Sequence, residues 1–151
     1  MKPLFLMLAS QLPLTASAMQ WPGADGTYCE TGTFTKLNDG SQTNYVATTT
    51  ISSTNSTLAT SYTYPSGFHY TLSYTMVETG NGLFDILVVD AVVGSGFCLG
   101  HTCNSEIDYT HSYLGPIKVS LSAVFENDSI VTTGRNHTSN TIFQSSGSLC
   151  E

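Results

Sequence analysis

Apolar and polar side chains alternate through much of this chain of 151 residues. Between residues 68 and 76, the even positions hold Phe, Tyr, Leu, Tyr and Met, and the odd positions hold His, Thr, Ser and Thr. Residues 117–125 and 58–64 repeat the pattern. A period of two with one apolar face is typical of half-buried antiparallel strands. No convincing helical stretch follows residue 18, so the alternation predicts an all-β fold.

Turn-forming residues separate the alternating segments, as at Asn38-Asp39-Gly40 and Gly80-Asn81-Gly82. The predicted strands cover residues 26–36, 43–52, 57–64, 68–77, 83–93, 107–113, 117–125, 129–133 and 139–145. Eight or nine short strands with hairpin-length links make an antiparallel meander, which can close into an up-and-down barrel. We expect this barrel over a single domain, residues 19–151, with a β-sandwich as the alternative.

The first 18 residues, MKPLFLMLASQLPLTASA, differ from the rest of the chain. Lys2 gives a short positive start, residues 4–14 are mostly apolar, and Ala16-Ser17-Ala18 supplies the small residues that signal peptidase requires. The apolar run is too short to span a bilayer. We therefore expect a signal peptide cleaved after Ala18 and a secreted or periplasmic protein, with no membrane span after cleavage. The leader fits a bacterial or a eukaryotic source.

The charge balance is strongly acidic, with 4 Lys and Arg against 11 Asp and Glu and a formal net charge of −7. Beyond the leader, the basic residues are Lys36, Lys118 and Arg135, which are far apart in the sequence. Binding to nucleic acid or to an anionic membrane needs clustered positive charge. We expect no nucleic-acid partner, and the composition specifies no protein partner.

Four cysteines, Cys29, Cys98, Cys103 and Cys150, predict two disulfide bonds in a secreted chain. Three pairings are open. In a closed up-and-down barrel the first and last strands are neighbours, so we favour a Cys29–Cys150 bond at the closure seam. Cys98 and Cys103 are then left to bond across a short turn.

The segment GSGFCLGHTCNSEIDYTH, residues 94–111, also raises the alternative of a zinc site that adds His101 and His111 to the two cysteines. The spacing fits no standard zinc motif, and thiolates rarely stay reduced outside the cytoplasm. A redox pair is disfavoured because four residues, rather than two, separate the cysteines. We expect a disulfide-strapped loop and no metal.

Catalytic residue types are present without a catalytic motif. The candidate general bases are His69, His101, His111 and His137, and the carboxylates that could orient them are Asp85, Asp90, Glu106 and Asp108. The chain has no Gly-x-Ser-x-Gly elbow and no phosphate-binding loop, so we expect no enzyme and no cofactor. Asp85 and Asp90 lie on opposite faces of one predicted strand. One of them points into the barrel unless a bulge or strand end turns it to water, which is the outcome we favour.

Three Asn-x-Ser/Thr sequons fall at predicted turns, at Asn55, Asn127 and Asn136. They are glycosylation sites only if the source is eukaryotic.

The opening WPGADGTYCETGTF, the run of hairpins and the expected closure resemble the calycin group of small barrels, which includes lipocalins. Lipocalins carry a glycine two residues before a tryptophan, whereas Trp21 precedes Gly23 here, and the helix usual near the end of that barrel is not visible. The resemblance implies a barrel that encloses an apolar ligand. It assigns no functional residue.

Two classes of function remain. The first is a non-enzymatic protein that binds a small apolar ligand with the inward stripe of the barrel. The residues of this stripe are Phe68, Tyr70, Leu72, Tyr74, Met76, Val119, Leu121 and Phe125. The same residues would also suit a solid core. The second class is an extracellular structural or interaction module that binds protein or carbohydrate through exposed tyrosines.

Overall fold

The computed structural model describes residues 17–150, and its regular elements are all strands. They are β1 (Ser17–Ala18), β2 (Gly26–Lys36), β3 (Gln42–Ser52), β4 (Thr57–Thr63), β5 (His69–Gly80), β6 (Leu83–Val88), β7 (Ala91–Leu99), β8 (Thr102–His111), β9 (Gly115–Glu126), β10 (Ser129–Asn136) and β11 (Thr141–Leu149). In this part of the chain there is no helix with the length and apolarity to cross a lipid bilayer. Residues 1–16 of the expected signal peptide lie outside the described residues.

Strands β2 to β11 each pair with the next, and β11 pairs with β2, so they close a ten-stranded antiparallel barrel. The seam is regular from the pair Tyr28–Leu149 to the pair Lys36–Thr141. The short β1 adds to β5 beyond the end of β4. The all-β barrel is confirmed and the sandwich is not, while the strand number is ten rather than eight or nine.

The extra strand arises because the single strand predicted over residues 83–93 is wrong. The chain turns at Val89 and Asp90, where Val89 has a φ of 56° and is 85% exposed. β-Branched residues rarely adopt this left-handed region, so the turn carries no glycine or asparagine signal. Residues 94–106, predicted as a loop, form most of β7 and the start of β8. Cys98 and Cys103 are directly paired across that hairpin.

The barrel has two unlike ends. We call the upper rim the end with the turns β2–β3, β4–β5, β6–β7, β8–β9 and β10–β11, and the opposite end the lower rim. Both disulfides, Cys29–Cys150 and Cys98–Cys103, lie toward the lower rim, and they are the pairs favoured from the sequence. Disulfides persist in oxidising surroundings, which indicates an extracellular or periplasmic compartment.

Residues 19–23 cover the lower end from inside. Met19 is only 1% exposed and packs with Phe84 in one of the two core clusters. The Trp21 ring lies between Phe84 and Phe125, with centroid distances of 6.1 and 6.2 Å. Because these side chains fill the lower end of the interior, the space inside the barrel lies above them.

Three interior glycines are each paired across the sheet with an aromatic residue. The pairs are Gly32–Tyr45, Gly96–Phe84 and Gly134–Phe143. A Cβ atom at any of the three glycines would lie 2.3–2.5 Å from the ring of its partner. The outer end of each ring therefore lies over the position where a side chain is missing, the arrangement that compensates for glycine in a sheet.

Candidate functional site

A cavity of about 350 Å³ lies inside the barrel. Its lining includes side chains from every barrel strand except β7, and it extends from Trp21 to Leu114, Thr138 and Ser139 at the upper rim. Eight strands enclose an interior that side chains can just fill, and the diameter grows with strand number. Ten strands therefore leave room for a small molecule above the packed lower end.

The wall formed by β2 to β5 is aromatic. We call Tyr45, Tyr62 and Tyr70 the tyrosine wall, since all three line the cavity and lie on neighbouring strands. Ring centroids are 5.7 Å apart for Tyr45 and Tyr62 and 5.0 Å apart for Tyr62 and Tyr70. Phe34 extends the wall, 4.5 Å from Tyr45. Such a surface offers π faces as well as apolar area to a ligand.

One carboxyl group lies among these rings. Glu30 is 4% exposed and lines the cavity. Thr49 donates a hydrogen bond to its Oε1 at 2.6 Å, and Ser145 donates to its Oε2 at 2.7 Å. The Thr49 and Thr60 hydroxyl oxygens are 3.1 Å apart, and Thr60 is the donor there because the Thr49 proton goes to Glu30. We call these four buried residues the Glu30 cluster.

No basic side chain of the described residues neutralises Glu30. Lys36, Lys118 and Arg135 are all exposed on the barrel surface. Lys118 faces Asp108 with a nitrogen–oxygen distance of 3.8 Å, and Arg135 donates a hydrogen bond to Asn140. Hydroxyl groups thus supply the hydrogen bonds to Glu30, and no positively charged side chain among residues 17–150 pairs with it.

A second polar group near the cluster has no partner. The Tyr45 hydroxyl is buried and makes no hydrogen bond to any described residue, and its ring covers Gly32. Burial is the main cause that raises the pKa of Tyr45 to about 12; the neighbouring Ser145 hydroxyl lowers it in part, and the charge of Glu30 raises it further. Ser145 does not satisfy this hydroxyl, because its single proton goes to Glu30 and the Tyr45 O–H makes no hydrogen bond of acceptable geometry to the Ser145 oxygen.

Other tyrosines of the interior also keep their protons strongly. Burial raises the pKa of Tyr62, and the nearby Tyr70 and Tyr45 raise it further. Burial likewise raises the pKa of Tyr74, whose hydroxyl lies 3.4 Å from that of Tyr109. These groups offer neutral hydroxyls to the cavity at any physiological pH.

Seven of the eight residues of the predicted inward stripe line the cavity. Tyr70, Leu72, Tyr74, Met76, Val119, Leu121 and Phe125 all line the cavity. Phe68 does not; it lies at the upper rim, 43% exposed, with its ring 5.9 Å from Tyr64 and 5.7 Å from Tyr70. The alternation that predicted the stripe ends at the turn before His69, so Phe68 no longer follows the parity of the strand.

The sequence reasoning missed Glu30 altogether and considered Asp85 and Asp90 instead. Asp90 lies exposed in the β6–β7 turn, and Asp85 faces outward between the buried Phe84 and Ile86. The sequence did contain a signal for an interior Glu30, because Glu30 lies two residues after Tyr28 in β2 and so on the same, buried face of the strand. A lone charged residue on the apolar face of a strand is an interior residue by that rule.

Groups with catalytic chemistry lie away from the cavity or apart from one another. Ser120 and His137 are 2.9 Å apart on the outer surface. His101 lies in the exposed β7–β8 turn and His111 at the other end of β8. Among residues 17–150, no group of three or more His, Cys, Asp and Glu side chains is placed to hold a metal ion. Both thiols of the suggested zinc set are bonded to each other.

The three sequons differ in their surroundings. Asn55 and Asn127 are exposed in turns. Asn136 is half-buried at the edge of the cavity, and its amide oxygen accepts hydrogen bonds from the backbone N–H groups of Thr138 and Ser139. A glycan on the side-chain nitrogen of Asn136 would therefore lie at the edge of the cavity.

Comparisons with protein family models, with curated proteins and with solved structures give no match to this chain. The cavity and its lining are therefore the features of the molecule that bear on its function.

Proposed function

We propose that this chain is a secreted or periplasmic, non-enzymatic protein that binds one small, largely apolar molecule inside its barrel. The observation that carries the proposal is the cavity of about 350 Å³ that continues to the upper rim. Binding sites for small molecules span about 300–1,000 Å³ and combine apolar walls with a few placed polar groups. This cavity is at the small end of that range, which favours a compact ring compound over a long-chain lipid.

The lining supports the same proposal. Aromatic and aliphatic side chains form most of it, and the polar groups are concentrated in the Glu30 cluster. A solid core of this size would expel the carboxylate or pair it with a cation, because an isolated buried charge is costly. The Ser120–His137 pair on the outer surface has no part in such a site.

A titration with prodan, a neutral naphthalene dye whose emission depends on polarity, tests the proposal. Ala47 is 4% exposed and lines the cavity, whereas its neighbour Val46 points outward and is 51% exposed. We expect blue-shifted, saturable emission with the native protein and with Val46→Phe. Ala47→Phe fills the cavity and should weaken binding at least about tenfold, since overpacking leaves no space for the dye.

Circular dichroism would establish that both variants keep the barrel. Equal dye binding by Ala47→Phe and the native protein would place the dye outside the cavity and contradict the proposal. Absence of saturable emission with the native protein would contradict it as well.

The interaction module is the second candidate function, and one observation favours it. Leu83 and Phe97 are paired on the outer face of β6 and β7 and are 53% and 46% exposed. Exposed apolar pairs of this kind occur in contact surfaces. Dye binding that is lost on Phe97→Ser and kept in Ala47→Phe would support this function over the cavity.

A further inference from the structure

We infer that the ligand of this cavity carries a protonated amine and that Glu30 receives it. This inference rests on the proposed ligand-binding function and names the chemical class of the ligand. It is argued from the hydrogen-bonding capacity of Glu30, the charge balance inside the barrel and the arrangement of the tyrosine wall.

Glu30 has acceptor capacity left over. A carboxylate offers about four lone-pair sites, and the side chains of residues 17–150 occupy only two of them, through the hydroxyls of Thr49 and Ser145. Both hydroxyls hold the carboxylate in place from its two sides, so its orientation is set before a ligand arrives. An ammonium group has three donors and no acceptor, which matches a site that consists of acceptors.

The charge balance also favours a cation. Glu30 is 4% exposed, and the basic residues of the described chain lie on the outer surface. Hydroxyl donors offset only part of the cost of burying a carboxylate, and an ion pair recovers more of it. The net charge of −7 adds an attractive field for a positively charged ligand and a repulsive one for an anion.

The register of the sheet places aromatic faces beside the carboxylate. Glu30 pairs with Ala47, Ala47 with Tyr62, and Tyr62 with Tyr70, so the four side chains form one row across the cavity wall. Ala47 is the small member of the row and leaves space between Glu30 and the Tyr62 ring. A cation in that space contacts a carboxylate on one side and π faces on the other, and both attract it.

The unpartnered hydroxyl of Tyr45 is an independent observation that points to a ligand. It is buried within the described residues without a hydrogen bond, next to the Glu30 cluster. Leaving such a group unpaired destabilises a protein, so a ligand that supplies a partner is favoured. A primary arylalkylamine, protonated at neutral pH and with a hydrogen-bonding substituent on its ring, would satisfy both Glu30 and Tyr45.

Displacement of prodan by two matched compounds tests the inference. 2-Phenylethylamine is cationic at neutral pH, and 2-phenylethanol has nearly the same shape without the charge. We expect the native protein to bind the amine at least about tenfold more tightly than the alcohol, because charge-assisted hydrogen bonds in a buried site are strong. Glu30→Gln keeps the shape and removes the charge, so the preference should fall to within about threefold.

Glu106→Gln is the matched control. Glu106 is exposed on the outer face of β8, and its replacement changes the net charge by the same amount. Amine affinity should change by less than about threefold in this variant because exposed charges are screened.

The outcomes separate the inference from the proposed function. Saturable prodan binding with no preference for the amine over the alcohol overturns the inference and leaves cavity binding intact. Equal loss of amine affinity in Glu30→Gln and Glu106→Gln also overturns it, because the net charge would then be the cause. Absence of prodan binding and of both compounds overturns the proposed function. If Glu30→Gln does not fold, the amine preference of the native protein and its retention in Glu106→Gln together decide the matter.

Discussion

Removing the Cys29–Cys150 bond should destabilise this barrel far more than removing the Cys98–Cys103 bond. The first bond joins residues 121 apart in sequence, and the second joins residues 5 apart. A cross-link restricts the unfolded chain by an amount that grows with the logarithm of the closed loop. The estimated stabilisation is about 5 kcal/mol for the long loop and about 2 kcal/mol for the short one.

Urea denaturation of two double variants, followed by far-ultraviolet circular dichroism, measures the difference. Cys29→Ala/Cys150→Ala removes the long link, and Cys98→Ala/Cys103→Ala removes the short one. Because Cys103 is 4% exposed, its replacement also removes some packing and enlarges the effect of the second variant. The comparison is therefore conservative. A free energy of unfolding that falls no further in the first variant than in the second would refute the reasoning from loop length.

Three further predictions concern buried groups. Because burial raises the pKa of Tyr45 to about 12 from the usual 10.0, the contribution of this ionisation to the free energy of unfolding should be constant below pH 10, and the free energy of unfolding should be lower above it. The free energy of unfolding should fall as the pH rises from 10 toward 12, by up to about 1.4 kcal/mol per pH unit for each such tyrosine. Urea titrations that give the same free energy of unfolding at pH 9 and pH 11.5 would contradict this. Tyr45→Phe removes an unpartnered hydroxyl and should be neutral or stabilising by about 1 kcal/mol. Tyr70→Phe removes a hydroxyl paired with that of Tyr64 and should be destabilising. A thermal unfolding temperature that is lower for Tyr45→Phe than for Tyr70→Phe would contradict the view that the Tyr45 hydroxyl has no partner. A Cβ atom at Gly147 would lie 2.0 Å from the Cys29 carbonyl oxygen across the seam. Gly147→Ala should therefore lower the free energy of unfolding, measured by urea denaturation, by about 1–3 kcal/mol or more. A decrease no larger than that caused by Gly80→Ala, where the added Cβ is not crowded, would show that the backbone at the seam relaxes.

Most of the barrel could be predicted because its strands follow the period-two rule over long stretches. The bounds of β2 agree with the prediction at both ends, and β3 and β4 differ from it by one residue. Closure was expected from the antiparallel meander, and the Cys29–Cys150 pairing followed from it because the first and last strands of a closed barrel are neighbours.

The β6–β7 hairpin could not be predicted from local chemistry. Its turn uses Val89 and Asp90, and a valine in the left-handed region is held there by the pairing of the strands on either side rather than by its own preference. The site was missed for a different reason. Glu30 satisfies the alternation only if a charged residue is allowed on the apolar face. Its hydroxyl donors, Thr49 and Ser145, come from the next strand and from the last strand, and their contact with Glu30 depends on the register of the sheet.

The internal width of this barrel depends on the aromatic rings that lie over Gly32, Gly96 and Gly134. Each glycine acts as a recess for a ring, so the width of the lumen at that level depends on a residue that has no side chain of its own. Replacing one of these glycines with a larger residue would push the facing ring toward the barrel axis and narrow the lumen. The residues that contact a bound ligand would all stay the same. Substitutions in the wall behind the rings would therefore change the size of molecule that this barrel accepts.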